Sequence, residues 1–565
     1  MDNLIDLGNI KNYNNKILPN VKILNNGLTL VHVENVCKDI FRIELVLRAG
    51  TLQQTSKEVG FAHLIEHLMS FYPSLLRKDK KEYLESGNLH SPYTGSDGKI
   101  YYPNSTDNQQ NINELGINMN AWTSDHTCGY WMEGLDDYSG QMVDWLFKNL
   151  LHPFLDKKVF KQEKNAVLRE LSGYIDDIWY NFNMMLQYVL FKDTNMEYTI
   201  EYEKQNVKDC ANIKNIFSFR KKWYKPEYIT IIITSKLQGN NIKEKTEFRE
   251  ELFKYIEETY YPETARKPKV NPVYKLNIPN PKYSFLNGKF SFGGVRMYYI
   301  PGQQTKQQQT KQQQTKQQQT KQQQTKQQQQ TKSNDLTNYR FFYIKPRSDT
   351  KQYKISLLFP VTFDPFDDRI FTVDYLTLIL TEGLGSRLYY ALRTILGAVY
   401  NVKASCFLDP LNSNYSYFSI DTECSGENII KLIDYILLEL QMLSFFPKTV
   451  EEYITKREQK QYKDSLKLID NQENCSVHFD KHTNFYNERI IWNKKPFTTI
   501  DQEKEMREKV NPEMVQKLAQ EIFIPERMRI FYSGENDLLN IPPNKKIHLQ
   551  IKEKDFKIKN KINCN

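Results

Sequence analysis

The sequence predicts a duplicated α+β fold, with two units of mixed strands and helices on either side of a low-complexity spacer, and three observations predict it. Repeats of Gln-Gln-Gln-Thr-Lys fill residues 303–332, a stretch without the apolar residues a packed core needs. The two sides share an outline of hydrophobic strand, helical stretches, then a strand introduced by Pro-Glu: Pro226-Glu227 before Tyr228–Ser235, and Pro525-Glu526 before Arg529–Tyr532. With 565 residues, 39% of them apolar, the chain is long enough to bury two cores. The domains are therefore read as 1–265 and 336–565, with a linker at 266–335.

Taken in order, Asn25-Asn26-Gly27 separates two short alternating runs and reads as a hairpin turn. Phe41–Arg48 alternates apolar and polar residues, the period of a half-buried strand. A helix with Leu64, Leu68 and Phe71 as its buried stripe carries His63, Glu66 and His67 on its other side. A second helix carries Glu163 and Glu170, with Leu168, Leu171, Ile175 and Ile178 as its apolar stripe. Tyr228–Ser235 is a strand, and a helical stretch follows to about Tyr260. Beyond the spacer come a strand at Tyr353–Phe359, further helices and the strand Arg529–Tyr532.

His63-Leu64-Ile65-Glu66-His67 carries the most chemical information. Residues three and four apart are neighbours on a helix, so both imidazoles aim at one point with Glu66 beside them. Zinc binds imidazole and carboxylate at roughly 2 Å, and a catalytic site keeps one position open for water. A third protein ligand is then required. Glu163 and Glu170 lie two turns apart on one face of the second helix; Glu170 is assigned as that ligand, and Glu163 as a carboxylate orienting a ligand or the water. His126 lies a few residues beyond Asn120 and reads as a packing or substrate-facing residue rather than a metal ligand. Cys475, His478 and His482 fall at helical spacing but lack a partner pattern, and His32, His90, His152 and His548 carry no functional signal.

On these residues the chain resembles the M16 metallopeptidases, the pitrilysin and mitochondrial processing peptidase family, whose signature is HxxEH. The resemblance takes in Gly50 and Gly60 ahead of the helix and the segment Gly116–Thr127, which looks like the family's edge strand. That strand captures a peptide by strand addition, which implies Asn120 and Ala121 as substrate-binding residues. The interval from His67 to Glu170 is longer than the family's usual one, and the excess falls before Asn120, so residues 77–111 are read as a surface insertion. The resemblance also implies a mostly antiparallel sheet packed with helices in each half.

The second half has no HxxEH. Its Gly383-Leu-Gly-Ser-Arg387 run, continuing through Arg393 to Tyr400, resembles the family's C-terminal segment, in which an arginine and a tyrosine seven residues apart face the zinc. A guanidinium and a phenol there would steady the oxyanion of peptide hydrolysis; the plainer alternative is a surface arginine and a buried tyrosine. The implied function is a zinc-dependent endopeptidase acting on extended or unfolded peptides. It would hold one Zn2+ per chain on His63, His67 and Glu170, with metal-activated water and Glu66 as general base. Two domains, where the long members have four, imply a dimer, most simply a homodimer, with a heterodimer as the other form. Two other classes stay open: a catalytically silent subunit of a larger complex, and a scaffold that binds polyanions through its Lys/Gln tract.

The net charge of +9 does not make a nucleic-acid surface, because the six lysines of the tract leave only +3 for the rest of the chain. No run of 18 apolar residues is present, so no membrane span is expected. The first twenty residues hold two aspartates and no arginine, a poor transit peptide without a signal-peptide core. Seven scattered cysteines make no disulfide framework. A reducing, cytoplasmic location is expected.

Overall fold

The computed structural model describes residues 20–24, 26–34, 39–70, 93–94, 100–101, 115–151, 157–191, 198–236, 242–260, 340–346, 350–411, 413–445, 491, 505–539, 541 and 546–550. The repeat tract and its flanking linker, Phe71, the Cys475–His482 set and most of the 77–111 segment lie outside the described residues. Of that segment, β4 (Tyr93–Thr94) and β5 (Ile100–Tyr101) pair as a short antiparallel hairpin.

Two compact units divide the chain: Met1–Lys282 with Gln459–Lys509 and Lys552–Asn565, and Tyr283–Glu458 with Val510–Ile551. The first is built on β1 (Asn20–Ile23), β2 (Thr29–Glu34), β3 (Ile40–Leu47), β6 (Asn118–Thr123), β7 (Cys128–Leu135) and β8 (Ile229–Ser235), in the spatial order β1-β2-β8-β3-β7-β6. Only β2 and β8 run parallel; the other four pairs are antiparallel. The hairpin at Asn26-Gly27 forms as read, with Gly27 at φ +89° and Leu24 N–H donating to Leu28 O at 2.8 Å. Helices cover one face: α1 (Phe61–Ser70), α2 (Ser139–Leu151), α3 (Lys157–Asp176), α4 (Ile178–Leu190), α5 (Ile200–Cys210), α6 (Ile213–Trp223) and α7 (Ile242–Tyr260). Leu45, Leu47, Ile231 and Ile233 from the sheet join Leu64, Leu68, Val167 and Phe219 from the helices in one buried cluster.

Two sequence readings need correction here. β3 is not half-buried: all but its first residue are buried, Arg42 and Glu44 included. Its second face is covered too, since Val31, Val33, Val46 and Ile232 pack with Ile491 from far along the chain. Arg42 tolerates this because its guanidinium reaches Glu133 at 3.2 Å and Glu44 at 3.4 Å and lies over the Trp131 ring, which satisfies charges that would otherwise be costly to bury. Ile178 is not part of the second helix. That helix ends at Asp176, and Asp177 caps a new one by accepting from Tyr180 N–H at 2.6 Å.

The second unit holds β9 (Phe341–Lys345), β10 (Gln352–Pro360), β11 (Val402–Phe407), β12 (Tyr417–Ser425), β13 (Arg529–Ser533) and β14 (Lys546–Gln550), in the order β11-β12-β10-β13-β9-β14. Its helices are α8 (Arg369–Thr381), α9 (Arg387–Tyr389, continuing as a π-helix over Tyr390–Ile395), α10 (Ile429–Phe445) and α11 (Pro512–Ile522). Read from the opposite edge, this sheet repeats the first in register. Pro226 and Pro525 each begin a 3-10 turn. Five residues on, Ile231 sits between Leu45 and Leu30, and Ile530 sits between Leu357 and Phe341. On that register the Arg42–Glu133 pair corresponds to Lys354–Glu423, 3.0 Å apart. Asn120-Ala121 then corresponds to Lys403-Ala404. The far edges differ: β1 enters by a hairpin, whereas β14 pairs parallel to β9.

Asp421 on β12 is a half-buried carboxylate whose pKa is raised by desolvation, against hydrogen bonds from Ser356 Oγ at 2.5 Å and Ser419 Oγ at 2.7 Å and the nearby charge of Lys403. A raised folded-state pKa means that the folded form holds its proton more tightly than the unfolded chain. The stability this gives is complete below the unfolded value and is lost as pH rises through the folded one. Asp421→Asn is therefore expected to be more stable than wild type at pH 7, the gap narrowing as the pH falls toward 4. Urea denaturation at several pH values checks it, and a gap that widens toward acid would contradict it.

Among the described residues no helix is long and apolar enough to cross a membrane. Cys128, Cys406 and Cys424 are free thiols. Cys210, at the end of α5, is buried.

Candidate metal centre

α1 is placed by its own N-terminus. Gly60, at φ +86°, turns the chain into the helix, Ala62 N–H donates to Gln54 Oε1 at 2.9 Å, and Phe61 N–H donates to Glu58 O at 2.8 Å. These contacts satisfy amide hydrogens that a helix start leaves without partners. Ala62, Leu64, Ile65, Leu68 and Met69 are buried in the core, so His63, Glu66 and His67 are left on the partly open side. α3 packs across that side. Val167 and Leu171 anchor it in the core, with Leu168 and Ile175 only partly buried, and Glu163 and Glu170 face α1.

The structure brings His63, His67 and Glu170 together. Glu170 Oε2 lies 3.6 Å from His63 Nε2 and 3.4 Å from His67 Nε2. One donor atom from each of the three residues falls within 4.8 Å of the others, and among the described residues this is the group of such atoms that could hold a metal. The two contacts are longer than ordinary hydrogen bonds, which span roughly 2.7–3.2 Å. They match the edge of a coordination tetrahedron, since an ion with bonds of about 2.0–2.1 Å sets its ligand atoms about 3.3–3.4 Å apart. Two imidazoles and a carboxylate with these spacings fit zinc.

Each of the three groups is held from behind. His67 Nδ1 lies 3.2 Å from Glu163 Oε2, and His63 Nδ1 lies 3.3 Å from Glu203 Oε1 on α5. A carboxylate at Nδ1 favours the tautomer with its proton there and leaves the Nε2 lone pair facing Glu170. Tyr174 OH donates to Glu170 Oε1 at 3.1 Å, turning the other oxygen toward the imidazoles. The His63 pKa is raised: burial disfavours the charged ring, but the hydrogen bond and charge of Glu203, with the charges of Glu170 and Glu66, outweigh it. Glu66 accepts from Thr123 Oγ1 at 2.8 Å. The sequence reading named Glu163 but missed Glu203, Tyr174 and Thr123. Thr123 lay within the quoted edge segment; Glu203 had no local signal.

Asn120 and Ala121 sit on β6, the last strand of its sheet. Ala121 N–H donates to Asn120 Oδ1 at 2.8 Å. At the matching place in the second unit, Ala404 N–H donates to Thr381 Oγ1 of α8 at 3.1 Å, in a buried contact. Arg393 and Tyr400 are brought together within the second unit: Arg393 NH1 donates to Tyr400 O at 2.9 Å and to Tyr389 OH. The guanidinium lies over both tyrosine rings. Tyr400 is 83% exposed, so it is not the buried tyrosine of the plainer alternative. Arg387 anchors this helix through a buried ion pair with Glu439 on α10 at 2.8 Å. His126 is buried in the turn between β6 and β7. His32 is a core residue, hydrogen-bonded to Ser235 Oγ at 3.0 Å, and its pKa is lowered to about 3 by burial and by Arg249.

Residues 30–204 match the family model for Insulinase (Peptidase family M16), and residues 298–462 match that for the Peptidase M16 inactive domain. A relative named uncharacterized zinc protease YmxG, from Bacillus subtilis, is 22% identical over 39% of this chain and 47% of its own length, so the match spans about half of that protein. A protease from Helicobacter pylori superposes with TM-score 0.59 at 12% identity, over 92% of this chain and 99% of that one. A peptidase M16 inactive domain from Pseudomonas fluorescens gives TM-score 0.60 at 12% identity, over 92% and 98%. At such identities these solved structures speak for the fold. With both M16 models matched along one chain, in the halves that hold the two sheets, the chain belongs to the M16 peptidase family.

Proposed function

We propose that this protein is a zinc-dependent endopeptidase whose chemistry resides in the first unit. The observation that supports it most is the convergence of two Nε2 atoms on one Glu170 oxygen at 3.4 and 3.6 Å, with a carboxylate behind each imidazole. His63, His67 and Glu170 hold the metal. When bound, zinc supplies Lewis acidity, polarising the peptide carbonyl and acidifying water. Glu66, steadied by Thr123, takes the proton of the attacking water and returns it to the leaving amine nitrogen. The edge of β6 at Asn120 and Ala121 receives an extended peptide backbone as an added strand, which selects unfolded or flexible substrates. Arg393 and Tyr400 offer a guanidinium and a phenol to the oxyanion, and the working unit is a dimer, most simply of two identical chains. Residues 298–462 match a model described as an inactive domain, in keeping with a single metal centre that belongs to the first unit.

Metal analysis of the purified chain is expected to give one zinc per chain, and cuts in a mixed peptide library, mapped by mass spectrometry, are expected to vanish with chelator. His63→Ala, His67→Ala and Glu170→Gln should each lower zinc occupancy as well as cleavage. A chain lacking residues 303–332 should cut equally well, and sedimentation should give twice the chain mass. Stoichiometric zinc without any cleavage would instead favour a silent subunit. Loss of cleavage on removing the tract would overturn its accessory role.

A further inference from the structure

Glu203 is the one carboxylate at this centre that no sequence motif announces, and the structure goes to some length to place it. It sits on α5, 140 residues along the chain from His63, with Oε1 3.3 Å from His63 Nδ1. The two side chains are 20% and 17% exposed, so this is not a solvated surface pair of the kind worth little. α5 is fastened to the loop that leads into α1. Tyr202 OH donates to Ser56 O at 3.0 Å, and the fully buried Asn206 donates through Nδ2 to Lys57 O at 3.0 Å and Val59 O at 2.8 Å. The contact closes at Gly60, where an added Cβ would lie 2.4 Å from Val207 Cγ2 and 2.9 Å from Glu203 Cγ. The stem of Glu203 therefore rests against the foot of α1, one turn below the imidazole it addresses.

We infer that Glu203 is a positioning residue for His63. Through Nδ1 it fixes the tautomer and ring orientation that point Nε2 at the metal position, as Glu163 does for His67, so the centre carries a matched pair of outer carboxylates on two different helices. Outer partners of this kind change metal affinity by about 10–100-fold when removed. The inference rests on the zinc reading above, and the test separates the two. Metal-free full-length chain is titrated with zinc against a chromophoric chelator, and the visible spectrum of the cobalt(II) form is recorded, for wild type, Glu203→Ala, Glu203→Gln and Tyr202→Phe. Glu203→Ala is expected to raise the zinc Kd by about 10–100-fold and to alter the cobalt bands. Glu203→Gln, whose amide oxygen still accepts from Nδ1–H, should recover part of the loss. Tyr202→Phe removes one docking bond of α5 while the two Asn206 bonds still hold the helix and the carboxylate in place, so it should leave the Kd and spectrum as in wild type. Wild-type affinity in Glu203→Ala overturns the inference, as does an equal loss in Tyr202→Phe, which would make the role one of helix docking. Failure of the wild-type chain to bind one zinc overturns the metal reading itself.

Discussion

Glu66→Gln is expected to retain its zinc and lose at least ~10²-fold in peptide turnover, the usual cost of removing a general base. Glu66 is not among the three donors that converge, so metal content should not change. Its Oε2 accepts from Thr123 Oγ1, and the amide oxygen of glutamine can accept in the same place, so the local structure should persist. What is lost is the capacity to take a proton. Zinc analysis beside initial rates on a flexible peptide measures both. Undiminished turnover with zinc in place would remove Glu66 from the chemistry; loss of zinc would make it a ligand.

A large effect is also expected at a residue that touches no substrate. Gly50→Ala should cost about 3 kcal/mol or more of stability, at or above the upper end of ordinary overpacking. A Cβ on Gly50 would stand 2.1 Å from Ser124 O, 2.7 Å from Thr127 N and 2.8 Å from the Asp125 carbonyl carbon, all backbone atoms of the β6–β7 turn. They cannot swing aside as a long side chain would. The turn is bolted to the same loop by Thr51 N–H to Ser124 O and Leu52 N–H to Asp125 O, each 2.9 Å. Relief of the clash breaks these bonds and displaces the end of β6, next to Thr123 and its contact with Glu66. Urea unfolding should show the loss, with Gly140→Ala as the comparison: Gly140 lies in α2 with nothing near its Cβ position, so alanine there should be neutral or slightly stabilising. A wild-type midpoint for Gly50→Ala would show that the two loops are not rigidly joined.

What could be read from sequence follows from how local each signal is. His63, Glu66 and His67 share one helical turn, and Glu163 and Glu170 share one helix face, so periodicity alone grouped them. The hairpin at Gly27 and the Pro-Glu turns at Pro226 and Pro525 were legible for the same reason, because one or two residues decide the backbone there. Glu203 was not legible, because its relation to His63 depends on α5 docking against the loop at Ser56–Gly60, a tertiary event with no periodic trace. β3 was misread because alternation reports side-chain polarity, whereas burial depends on what lies over each face. The residue covering its second face, Ile491, comes from the far part of the chain. The helix boundary at Asp177 was missed because a capping aspartate restarts a helix without breaking the apolar rhythm.

The matched registers of the two sheets make their outer strands a natural comparison of fates after duplication. An outermost strand is a standing invitation to any extended chain, including another copy of the same protein, and folds must either use it or close it. In the second unit Ala404 N–H is spent on a threonine hydroxyl from a packed helix. At the same position in the first unit the Ala121 N–H is met, among the described residues, by the side chain of the preceding residue, Asn120, at an exposed site. An asparagine can rotate away at little cost, but α8 cannot. The duplicated unit thus closes this edge amide with a latch in one copy, the neighbouring Asn120 side chain, and with a plug in the other, a hydroxyl of packed α8.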